Sequence, residues 1–88
     1  MYNYEIIPSL QRTLNKLSKK DKKTYEVIMN KIEEILENPQ HYKPLRYDLA
    51  GERRVHIMKS FVLKFEINET TRTVIFLFFG HHDEAYKV

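Results

Sequence analysis

At 88 residues, with 15 Lys and Arg against 12 Asp and Glu and a pI near 9.2, the chain reads as one mildly basic domain over residues 1–88, able to remove only about 60% of its unfolded surface from water. It has no cysteine, which excludes disulfides and thiolate zinc sites. It also has no apolar run near the ~20 residues of a membrane span and no leader-like start in M-Y-N-Y-E-I-I-P-S, so a soluble, unexported, cytoplasmic protein with no membrane partner is expected.

Tyr2 to Ile7 alternates polar and apolar residues and predicts a first strand. Pro8-Ser9 ends it, and Ser9 is the expected N-cap of a helix carrying Leu10, Leu14 and Leu17 to about Ser18. After Lys19-Lys20, Asp21 is the expected cap of a second helix, Lys22 to Asn38, with Tyr25, Ile28, Met29, Ile32, Ile35 and Leu36 on one stripe. Pro39 stops it. The lysines around Asp21 read as a solvated turn.

Gln40 to Gly51 is irregular, with Leu45, Tyr47 and Leu49 alternating as a short extended piece. Three strands are then expected. Arg53 to Met58 places Arg54 and His56 on one face, with Arg53, Val55 and Ile57 on the other. Phe61 to Ile67 follows after a tight turn at Lys59-Ser60. Thr73 to Phe79 follows the turn Asn68–Thr71 and is ended by Gly80, with a short polar tail beyond. The expected architecture is α+β in the order βααβββ, a helical hairpin packed on one face of a small, twisted, antiparallel-dominated sheet. The last strand is apolar on both faces, and helices cover only one. Val74, Phe76 and Phe78 therefore predict an apolar surface for a partner protein or for self-association.

Charge is uneven along the chain. Between Gln40 and Phe65 the only carboxylates are Asp48 and Glu52, whereas Lys43, Arg46, Arg53, Arg54, Lys59 and Lys64 all lie there, with His41 and His56. The meander would return His56 and His81-His82 to one rim. Adjacent histidines in extended chain point to opposite faces, so no more than one of the pair joins His56, and no metal site is expected. No glycine-rich phosphate loop is present either, and no cofactor is implied. Phosphoryl transfer without a metal needs a base, an acid and cations for the phosphate. In RNA the 2′-hydroxyl already supplies the nucleophile, and histidine suits both proton roles. From composition alone, an ordinary polar sheet rim accounts for the same residues.

The run P-L-x-x-x-L-x-G-x-R-x-x-H-I, followed by F-V-L-K-F-E-I and then F-F-G-H-H-D-E-A-Y, resembles the RelE/ParE toxins of toxin–antitoxin systems, most of all the YafQ-like branch. Pro44, Leu45, Leu49, Gly51, Arg53, His56, Ile57, Leu63, Gly80, His82 and Tyr86 carry it. The resemblance implies a RelE-like fold and a ribosome-dependent mRNA endoribonuclease that inhibits translation. Its partners would be the ribosome, mRNA and a RelB-like antitoxin from the same operon, the last as a hetero-oligomer. It implies His82 and His56 as acid–base residues and Tyr86 as the aromatic site residue. Lys43 falls near a further site position beside His41. Candidate RNA- and phosphate-binding residues are Lys43, Arg46, Arg53, Arg54, Lys59 and His81. Ser60 stands where YafQ-like proteins have Asp, Phe78 where they have Arg, and Phe61-Val62 where RelE has Tyr-Arg. Alternative readings are a ParE-like inhibitor of DNA gyrase with no nuclease activity, and a catalytically weak binding module of the same fold.

Overall fold

A computed structural model describes residues 1–42 and 51–85. The expected element order is found. Strand β1 (Asn3–Ile6) is followed by helices α1 (Pro8–Lys20) and α2 (Lys22–Glu37), and a short 3-10 turn (Pro39–His41) closes the helical half. Strands β2 (Glu52–Ile57), β3 (Phe61–Asn68) and β4 (Thr73–His81) follow, then a single turn of helix, α3 (His82–Ala85). The sheet order is β1-β4-β3-β2: the meander is antiparallel, and β1 joins the outer edge of β4 in parallel.

The helical hairpin forms because its two stripes meet one face of the sheet. Leu10 and Leu14 of α1 and Ile28, Ile32, Ile35 and Leu36 of α2 bury with Ile57, Leu63, Phe65, Val74 and Phe76. At the centre, Phe65 and Phe76 lie 5.9 Å apart, and Tyr42 meets Phe65 edge-on at 5.8 Å. Asp21 caps α2 as expected, accepting from both the backbone N–H and the hydroxyl of Thr24. Ser9 does not cap α1. Ile7 occupies the cap position without a side-chain bond, and Pro8 opens the helix at its first turn, where a missing N–H leaves no bond unmade.

Two further details differ from the expectation. The β2–β3 turn holds three residues, Met58, Lys59 and Ser60, because Met58 enters the left-handed region at φ 58° instead of ending the strand. Gly80 does not end β4, which continues to His81. The third difference governs both faces of the sheet. Lys64 pairs with Phe78 but Phe65 pairs with Phe76, so Leu77 is an extra residue, a bulge in β4.

The bulge redistributes the apolar run. Val74 and Phe76 face the helices with no exposed surface, so they belong to the core and cannot form an outward patch for a partner. Phe79 also packs against the core, while Leu77 lines a cleft beside Ser9, Leu10 and Thr13 of α1. Of the three residues expected to face a partner, Phe78 alone stands on the uncovered side. That side is mixed in character: Lys64 and Glu66 of β3 and Glu52 and Arg54 of β2 share it with Phe78.

Candidate functional site

The uncovered face is laid out in rows by strand pairing. Nearest the rim, His56, Val62 and Gly80 lie side by side across β2, β3 and β4. The next row is Arg54, Lys64 and Phe78, and below it Glu52 pairs with Glu66, which pairs with Ile75. Val62 has no exposed surface although no helix covers this side. The end of the Phe78 ring lies over neighbouring Gly80, with Cζ 2.6 Å from where a β-carbon would stand.

His82 reaches the rim row from the chain beyond β4. Its backbone N–H donates to the Ser60 carbonyl at 2.7 Å, tying the start of α3 to the β2–β3 turn. This sets its ring beside His56, with centroids 5.6 Å apart and planes inclined by 22°. At that spacing no group as bulky as a phosphate fits between the rings, so their edges are what a ligand could reach. Both are open to solvent, the His82 side chain being 48% exposed. His81 goes to the other side, as expected of adjacent residues, and meets Phe61 edge-on at 6.0 Å. Asp83, which the motifs did not single out, has carboxylate oxygens 3.7 Å from Nδ1 of His81 and 3.8 Å from Nδ1 of His82. Its backbone N–H also donates to His81 Nδ1.

The expected cations divide. Arg53 is on the helix side, where it donates to the Tyr42 carbonyl and to Gln40 Oε1, fastening the 3-10 turn to β2. It is therefore placed away from the histidine pair and serves the fold. Arg54 is exposed in the second row, and Lys59 is exposed in the turn between His56 and Ser60. Lys64 stands directly opposite Arg54, 3.6 Å from a Glu52 carboxylate oxygen and with Nζ 5.7 Å from the centre of the Phe78 ring. Strand alternation alone puts it there. Lys43, Arg46 and Tyr86 lie outside the described residues, as does the Leu45–Leu49 stretch. Among the described residues no three metal-ligating side chains gather. No helix there is long and apolar enough to cross a membrane.

The family profile described as "ParE toxin of type II toxin-antitoxin system, parDE" matches residues 4–86. The chain belongs to the ParE toxin family. A candidate toxin named RelE4 from Methanocaldococcus jannaschii is 56% identical to this family member over 87 residues, covering 99% of this chain and 93% of that protein. The toxin–antitoxin complex RelBE2 of Mycobacterium tuberculosis contains a chain of the same fold, with TM-score 0.76 and 23% identity over 92% of this chain and 98% of that one. YafQ from Escherichia coli superposes with TM-score 0.66 at 17% identity, over 99% of this chain and 100% of that one. The RelE/ParE superfamily and its α+β fold are thus the same as the sequence motifs implied.

Proposed function

We propose that this ParE-family toxin is a metal-independent mRNA endoribonuclease, acting in the cytoplasm on messages held by the ribosome, and that the stacked imidazoles of His56 and His82 are its acid–base pair. The observation that carries this reading is their juxtaposition at the open rim of the sheet. One neutral imidazole takes the proton of an RNA 2′-hydroxyl as that oxygen attacks the adjacent phosphorus. The other, protonated, gives its proton to the departing 5′-oxygen, leaving a 2′,3′-cyclic phosphate and a 5′-hydroxyl. Arg54 and Lys64, one row below, are placed to offset the charge that develops on the phosphoryl oxygens. A RelB-like antitoxin encoded in the same operon would form a complex with the toxin and keep it inactive, a reading supported by the RelBE2 fold relative.

Induced expression should arrest growth, with mRNA cut during translation and cut ends mapped by primer extension. His82→Ala should abolish both effects while circular dichroism shows an unchanged fold. A folded His82→Ala protein of full toxicity would refute the acid–base assignment. A second reading, inhibition of DNA gyrase, is favoured by the ParE profile match. It predicts loss of supercoiling by purified gyrase and an intact message pool.

A further inference from the structure

We infer that Phe78 is the platform on which one base of a single-stranded RNA stacks, with Arg54 and Lys64 holding the adjoining phosphate. The inference deepens the reading above by giving the same face its substrate-positioning residue.

Three observations carry it. The Leu77 bulge turns Phe78 onto the uncovered face, where it is half-buried instead of sealed in the core. The end of its ring then lies over Gly80, in the row that holds His56, so it adjoins the paired cations in its own row and reaches toward the histidine rim. Arg54 and Lys64 are directly opposite one another, which puts two cationic side chains in the same row as the ring.

The chemistry of these rows selects the occupant. An aromatic ring beside cations on an open surface is the arrangement that holds single-stranded nucleic acid, since every base has a π-face and every nucleotide a phosphate. The acidic row of Glu52 and Glu66 repels a polyanion and so confines the strand to the rim and second rows. Arg54 and Phe78 are two strand spacings apart, ~10 Å, so the nucleic acid runs across the strands and reaches the histidines from one side. Stacking strength then gives a preference for a purine over a pyrimidine at the seated position.

The test uses fluorescein-labelled 2′-O-methyl oligoribonucleotides, whose blocked 2′-oxygen cannot attack. Phe78→Leu keeps an apolar side chain without a π-face and should weaken binding about tenfold. Phe78→Trp should bind at least as well as wild type. The chain has no tryptophan, so this variant carries a single reporter, and its emission should fall on saturation with the oligonucleotide. Equal affinity of Phe78→Leu and wild type, unchanged tryptophan emission at saturation, or no binding by the wild-type protein would each overturn the inference. The two proposals separate in the wild-type protein: stacking of the blocked oligonucleotide without any cleavage of an unblocked message would defeat the nuclease reading alone.

Discussion

His56 and His82 are 26 positions apart in sequence, yet their rings stack at 5.6 Å because the His82 N–H bonds to the Ser60 carbonyl. The bond joins the end of the meander to its first turn, so the pair is built from backbone geometry on both sides. Replacing either imidazole should lower cleavage by about 10²–10⁴-fold. If they act as one unit, the His56→Ala/His82→Ala protein should be scarcely worse than the weaker single variant. Single-turnover cleavage of ribosome-bound message measures this.

The two adjacent arginines should separate by function. Arg53→Ala removes the donor to the Tyr42 carbonyl and to Gln40, and should destabilise the fold by about 1–2 kcal/mol in urea titration. Arg54→Ala changes an exposed position and should shift stability by less than about 0.5 kcal/mol. Its effect should appear instead as weaker oligonucleotide binding and a smaller salt dependence.

Gly80 and Phe78 should be coupled. A β-carbon at Gly80 meets the end of the Phe78 ring, so Gly80→Ala should destabilise by about 1 kcal/mol unless the ring swings away. In a Phe78→Ala background the same change should be nearly neutral. A double-mutant cycle in denaturant reads the difference directly.

Acid should weaken the start of α2. The Thr24 hydroxyl and, next, the Thr24 backbone N–H hold the Asp21 carboxyl below its ordinary value of 3.8. Since the folded form binds the proton less readily than the unfolded form, this contribution is present above that value and lost as pH falls through the lowered one. Asp21→Ala should therefore lower Tm by a few degrees at neutral pH. The gap from wild type should narrow in acid and close once the carboxyl is protonated in both states.

The elements that sequence made legible are those with a period. The α2 stripe and the alternation of β2 and β3 each bury one face, so Arg54 and His56 could be assigned to the uncovered side before any contact was known. Thr73 to Phe79 has no such contrast. With apolar residues at every position from Val74 to Phe79 a one-residue slip leaves no trace, and the pattern does not mark the Leu77 bulge, which decides that Phe76 is core and Phe78 is surface. Ser9 was a sound cap by residue type but lost the position to Pro8, whose fixed φ suits the first turn. The tie from His82 to Ser60 is a backbone bond, and nothing in the identity of either side chain announces it.

The placement of β4 has a consequence for timing. The strand made last is an inner strand of the sheet, and the first-made strand, β1, has only β4 as its neighbour. Asn3 must wait for Thr73, and the core lacks Val74 and Phe76 until they have been synthesised. A nascent chain short of β4 and His82 therefore has β1 without a strand partner, an unfilled interior and no second imidazole at the rim. The imidazole pair can therefore form only after β4 and His82 have been synthesised and have folded onto the β2–β3 hairpin.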